Sequence, residues 1–313
     1  MTELSDLRAG GKGAIARALT RLETAPRGEG TARLLDAAFA APVGVAIGLT
    51  GPPGVGKSSL THAFVRQFRD AGRRVAVLAV DPSSRVSGGA ILGDRTRIEL
   101  DPEDDGLFMR SMAARGRLGG LSDIAYPAIV LLRALYDVVL VETVGVGQSE
   151  IEIAEAADTV VFCAQPGSGD ALQFIKAGIM EIPDHIVVTK ADLGVRADRA
   201  RADLRGAVSL SAEVEAVSLH AVSAQTGAGV ADLVAALVQT SGRNRIEQRD
   251  LWCRAELARL FGARVAMRAD GISTEIPAGF SRLSAQAGVI DAALPRLLDS
   301  LTAETRPVHA TAS

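Results

Sequence analysis

The sequence predicts an α/β fold: a mostly parallel sheet with helices on both faces, plus N-terminal helices and a C-terminal helical arm. Three observations predict it. From about residue 42, short runs rich in valine and isoleucine alternate with helical patterns, as in parallel sheets covered on both faces. The first of those runs empties into a glycine-rich loop that opens a helix, a strand–loop–helix arrangement. Before residue 42 and after residue 242 the alternation is missing, and helix-like apolar spacing replaces it.

The elements follow in order. Residues 4–25 and 31–40 carry apolar positions at helical period, separated by Pro26, Gly28 and Gly30, and read as two helices. The strand candidates are Val43–Leu49, Arg74–Val80, Leu107–Met112, Asp137–Glu142, Thr159–Gln165, His185–Val188 and Ala216–Ser223. The stretch Ile246–Phe261 reads as one amphipathic helix with Leu251, Trp252 and Phe261 among its apolar members. Another helix is expected near Val289–Leu301, and a frayed tail from Arg306. The expected division is a helical extension over 1–41, a central α/β domain over 42–242 and a helical arm over 243–313.

Composition narrows the function. The 313 residues carry a net charge of −3 and a pI near 5.9. That balance offers no basic excess for nucleic acid or an anionic membrane surface. No apolar stretch reaches the roughly 18 residues a membrane span needs, and the N-terminus shows no signal-peptide core. The two cysteines, Cys163 and Cys253, lie far apart and form no CxxC pair, which suits a reducing cytoplasm. Cys163 sits in an apolar run and reads as a small buried residue. Lysine is scarce: only Lys12, Lys57, Lys176 and Lys190 occur.

Two of those lysines fall in nucleotide motifs. Gly51-Pro52-Pro53-Gly54-Val55-Gly56-Lys57-Ser58, followed by Ser59, is G-x-x-x-x-G-K-[ST] between a strand and a helix. Such a loop turns successive backbone N–H groups toward an anion at a helix N-terminus. Lys57 can reach the β and γ phosphates, and the Ser58 hydroxyl is a magnesium ligand candidate. Two acids follow at strand ends: Asp81, before Pro82-Ser83-Ser84, and Glu142, before Thr143-Val144-Gly145. Each alone is as easily a turn or helix cap; after a phosphate loop both become candidates for the metal shell. Gly145 can offer its N–H to a γ-phosphate and hinge a switch loop.

The base is read further along. Thr189-Lys190-Ala191-Asp192 follows a strand, matching Asn-Lys-x-Asp except for threonine in place of asparagine. The Asp192 carboxylate would accept the guanine ring N–H and exocyclic amine, a pattern adenine lacks. The Lys190 stem would lie over the base. Ser223-Ala224-Gln225 matches the Ser-Ala element whose backbone meets the guanine oxygen. Loss of the asparagine amide leads to an expectation of weaker binding without loss of base choice.

The segments AVLAVDPSS, GGAILGDRTR, VETVGVGQSE and PGSGDALQFIKAGI resemble MeaB/ArgK-type P-loop GTPases, across about residues 10–260. That family comprises chaperones of adenosylcobalamin-dependent acyl-CoA mutases such as methylmalonyl-CoA mutase. The resemblance implies GTP/GDP and Mg2+ as cofactors. It implies that Asp81, Asp94 and Glu142 surround the metal with Ser58. It implies mobile switches at Asp94–Arg97 and Gly145–Ser149, and a partner-sensing switch at Pro166–Lys176. It implies a homodimer through the C-terminal arm. Val146 stands where Ras-like enzymes place a water-orienting glutamine, and Gln148 lies farther on. Slow hydrolysis without a partner is the expectation, with Lys57, Gly145 and Gln148 as the catalytic candidates. Arg95, Arg97 and Lys176 are candidate stimulating groups, or solvated side chains. The alternatives are a nickel-type metal-insertion GTPase and, further off, an ATP-dependent kinase or transport ATPase. His62, His185, His220 and His309 are scattered in sequence and each reads as a surface or packing residue, which disfavours metal delivery.

Overall fold

The computed structural model describes residues 3–26, 28–82, 103–114, 124–143, 149–167, 182–209, 217–240, 242–261 and Phe280. In these, the chain begins with helices α1 (Leu4–Ala9), α2 (Gly11–Thr24) and α3 (Glu29–Ala40). The one helix expected over 4–25 is thus two, because Gly11 takes a left-handed φ of 61° at the junction, a conformation that suits glycine. The alternation then runs β1 (Val45–Thr50), α4 (Lys57–Asp70), β2 (Val75–Pro82), β3 (Leu107–Ala114), α5 (Ala125–Arg133), β4 (Val138–Glu142), α6 (Ser149–Ala156), β5 (Thr159–Ala164) and β6 (His185–Val188). It closes with a 3-10 turn (Ala191–Leu193), α7 (Val195–Ser209), β7 (Ser218–Ala221), α8 (Val230–Gln239) and α9 (Arg245–Phe261).

The strands form one sheet of order β3-β2-β4-β1-β5-β6-β7, parallel at every pairing. Side chains alternate between its faces, as period-2 geometry requires. Ala46, Ala76, Leu78, Val139 and Val141 join α2, α3, α5 and α6 on one face. Ile47, Leu49, Val75, Val77, Leu140 and Cys163 join α4 and α8 on the other. All seven sequence-predicted strands exist. Their ends shift by up to two residues, most at the last, which keeps only Ser218–Ala221. Pro127 sits in the first turn of α5, where its missing N–H has no partner to lose.

A repeated device finishes the N-terminal edge of the sheet. Asp137, Asp158 and Asp184 each stand one residue before a strand and accept an N–H near the start of the neighbouring strand, from Arg74 just before β2, Ala46 in β1 and Val160 in β5, each at 2.7 Å. Backbone donors at this edge are thereby paired rather than left bare. Asp158 also receives Arg133 at 2.7 Å, with both side chains buried. The arm is fastened here. Arg243 donates to Asp184 and to the Ile182 carbonyl, both at 2.6 Å, and Gln248 donates to the Ala157 carbonyl at 2.7 Å. Trp252 stacks on Tyr126 at 5.8 Å, and Phe280 packs against both rings. The expected helix near Val289–Leu301 lies outside the described residues.

Candidate nucleotide site

β1 delivers Thr50 into the loop, whose backbone takes a positive φ at three glycines, Gly51, Gly54 (φ 76°) and Gly56. Gly51 has φ 135°, and a Cβ there would meet the Cys163 carbonyl at 2.3 Å. Gly56, at φ 103°, turns the chain into α4. Lys57 is buried, and its ammonium donates to the Gly51 carbonyl at 2.7 Å and the Pro52 carbonyl at 3.1 Å. The lysine therefore lies folded back across the mouth of its own loop. Pro53, Gly54 and Ser59 are exposed around it, and Val55 is buried beneath. Burial pushes the Cys163 thiol up to about 12, so it remains a neutral packing group under the loop.

The strand order puts β4 beside β1 and brings Glu142 to α4. The Ser58 hydroxyl donates to Glu142 Oε1 at 2.6 Å, and Thr61 donates to Oε2 at 3.2 Å. Thr143 then pins the chain, its hydroxyl 3.1 Å from that of Thr50. The sequence reading missed Thr61 and Thr143. Thr61 was findable, since it stands one helical turn after Ser58 and shares its face. Asp81 lies in β2, two residues past Ala79, the register partner of Glu142; its side chain is outside the described residues. Asp94, Gly145 and Gln148 are wholly outside them.

The base loop leaves β6. Thr189 is 3% exposed, and its hydroxyl reaches the Val55 carbonyl at 2.6 Å and the Ala164 carbonyl at 3.0 Å. Threonine thus ties this loop to the phosphate loop by itself, through a hydroxyl rather than an amide. Lys190 has φ 54°, the only positive value at a described non-glycine residue. Its ammonium donates to the Gly54 carbonyl at 3.1 Å and to Gln165 at 2.5 Å. The Ser223 hydroxyl donates to Asp192 Oδ1 at 2.6 Å and accepts from the Thr226 N–H at 3.2 Å. That contact aims an exposed carboxylate while leaving its second oxygen to the outside. Ala224 is half-buried and Gln225 exposed in the turn that follows.

His185 and His220, scattered in the sequence, are adjacent in space, a correction to the reading of four separate residues. Their Nδ1 and Nε2 atoms lie 3.2 Å apart, and His185 Nε2 lies 2.7 Å from the Thr240 hydroxyl. Parallel pairing of β6 with β7 places His185 opposite Ser218 and His220 opposite Val187. The pair sits near the arm, away from the phosphate loop.

A phosphate loop at the C-terminal edge of a parallel sheet, with a hydroxyl–carboxylate pair beside its lysine, defines a P-loop NTPase. The comparisons make this specific. The model of a family described as methylmalonyl Co-A mutase-associated GTPase MeaB matches residues 15–252, and the chain belongs to that family. It is 41% identical over 198 residues to the mitochondrial methylmalonic aciduria type A homolog of Mus musculus, covering 61% of this chain and 48% of that protein. It is 44% identical over 190 residues to GTPase ArgK of Escherichia coli K12, covering 59% and 57%. The chain thus spans about half the length of these curated relatives. Among solved structures, one described as a LAO/AO transport system kinase matches with TM-score 0.58 and 26% identity, over 96% of this chain and 85% of that one.

Proposed function

We propose that the chain is a slow, magnesium-dependent GTPase that gates cofactor loading and protection of an adenosylcobalamin-dependent acyl-CoA mutase. The observation that carries the GTPase part is the meeting of three groups at one sheet edge: Lys57 in its loop, Ser58 against Glu142, and Lys190 against that same loop beside Asp192, which Ser223 holds. Membership of a family described by its mutase association supports the partner. Backbone N–H groups of Gly51–Ser59 would cradle the phosphates, and Lys57 would exchange its two carbonyls for β and γ oxygens. Ser58 and Glu142 form an oxygen-only pair that suits a hard cation; they would hold magnesium, with Asp81 and Asp94 as further candidates. When bound, magnesium supplies charge neutralisation at the phosphate oxygens. Asp192 would select guanine, aided by Ser223.

Gly145 and Gln148 would act in the switch, and the segment Pro166–Lys176 would relay nucleotide state to the mutase. The arm over 243–313 would join two copies, beside the central domain 42–242 and the extension 1–41. Metal delivery and ATP chemistry are the competing functions. The test is calorimetric titration with GDP and ADP, followed by GTP turnover with and without the mutase. Preference for GDP, stimulation by the mutase and loss of turnover in Lys57→Ala are the expected results. Equal binding of ADP would refute the base assignment, near-normal Lys57→Ala turnover the phosphate loop, and an unresponsive rate the chaperone role.

A further inference from the structure

We propose that Gln165 is a positioning residue for the base: it holds the Lys190 ammonium so that the lysine stem is fixed over the ring before nucleotide arrives. This rests on the guanine reading above and goes beyond the motif residues, which do not include Gln165. The Lys190 ammonium is held between two oxygens on separate elements, the Gly54 carbonyl at 3.1 Å and Gln165 Oε1 at 2.5 Å. An ammonium donates only, so the amide must present its oxygen, which fixes the orientation of the Gln165 side chain.

The placement follows from the sheet. Gln165 is the residue after β5, and Thr189 the residue after β6; these strands pair with Ala164 opposite Val188. The Ala164 carbonyl accepts both the N–H and the hydroxyl of Thr189, at 2.8 Å and 3.0 Å. The two chain ends therefore leave the sheet side by side, and Gln165 and Lys190 meet above it. Lys190 pays for a left-handed backbone, φ 54° and ψ 42°, which only specific contacts would maintain in a long side chain. Both backbone and head being fixed, the four-carbon stem loses its freedom in the nucleotide-free protein rather than on binding. Preorganisation of that kind raises affinity without adding a contact to the ligand. Gln165 is neutral, so it fixes the cation without adding negative charge beside an anionic ligand.

The alternative is that Gln165 merely finishes β5. A double-mutant cycle on the full chain separates the two. GDP affinity is measured by calorimetry for wild type, Gln165→Leu, Lys190→Ala and the double variant. Gln165→Leu is expected to weaken GDP about fivefold to tenfold. In the Lys190→Ala background the same change is expected to cost less than about twofold, since the group it positions is gone. The proposal is overturned if Gln165→Leu binds like wild type, or loses the same factor in both backgrounds. Failure of the guanine reading shows itself separately, as wild type without preference for GDP over ADP, and the proposal then falls with it.

Discussion

Thr189→Val tests whether one hydroxyl fastens the base loop to the phosphate loop. The replacement keeps the branched shape of a residue that is 3% exposed and removes only the donor. The Ala164 carbonyl keeps the Thr189 N–H at 2.8 Å. The Val55 carbonyl loses its 2.6 Å hydroxyl partner. Leaving a buried acceptor without that partner costs about 1–3 kcal/mol. The cost can fall in two places. A phosphate loop that stays put carries it in the free and bound states alike, so stability drops and affinity does not. A loop that swings the carbonyl toward water escapes it when free, and nucleotide must restore it on binding. The two losses should therefore sum to about 2 kcal/mol, whatever their partition. Urea unfolding of the nucleotide-free protein gives the first, and GDP calorimetry the second, at about tenfold per 1.4 kcal/mol. A sum below about 0.5 kcal/mol would refute the tether, since surface changes alone reach that size. Thr189→Asn changes in meaning too. With the tether already made by threonine, regaining asparagine should alter GDP affinity by less than about threefold.

Asp192→Asn should weaken GDP and favour xanthine nucleotide, because an amide donor complements the extra carbonyl; an unchanged preference in competition binding would place base choice elsewhere. Arg133→Met should cost about 3–5 kcal/mol in urea unfolding, because it strands the buried Asp158 carboxylate, and adding Asp158→Asn should recover part of it. Burial lowers the pKa of His185, aided by His220 and opposed by Asp184, and burial also lowers that of His220, opposed by Asp232. Depressed histidine values mean that the unfolded chain takes up protons first, so this contribution is whole above pH about 6.5 and is lost as pH falls below it. Melting temperatures between pH 7.5 and 5 should fall more steeply in wild type than in His185→Gln; equal slopes would remove the pair from the account.

Period and punctuation made the sheet legible. Each strand was a short apolar run between helical patterns, and burial on both faces left no ambiguity for residues such as Val139 and Leu140 to resolve. The phosphate loop was legible because its glycines are demanded by geometry: Gly51 has no room for a Cβ. The base loop was only half legible. Asp192 and Lys190 matched by spacing, but Thr189 counted as a deficit because spacing cannot show that a hydroxyl spans the gap to Val55. Gln165 carried no signal at all, since its role depends on two strands ending side by side. The same holds for His185 and His220, which are 35 residues apart and meet only through the pairing of β6 with β7. The edge aspartates were hidden for another reason. An acid before a strand looks like any turn residue until the neighbouring strand's N–H is located.

One tautomer of the histidine pair goes with a Thr240 hydroxyl turned toward its helix carbonyl. With the Thr240 hydroxyl donating to the Ala236 carbonyl at 3.0 Å, it accepts from His185 Nε2. His185 Nδ1 is then the acceptor, and His220 Nε2 the donor to it. A second proton on His185 would set two donors face to face at 3.2 Å. A proton on His220 Nδ1 would leave that contact intact, so His185 is the member that resists acid. This chain of bonds ends at Ala236 on α8, and Thr240, just after that helix, stands three residues before Arg243, which grips Asp184. Asp158 and Asp184 stand at the entrances of β5 and β6, while Gln165 and Thr189 stand at the exits of the same two strands. Both strands are buried and close-packed, and such elements move as units rather than stretch. The buried strands β5 and β6 thus join the residues that order the base loop to the aspartates beside which the arm is fastened.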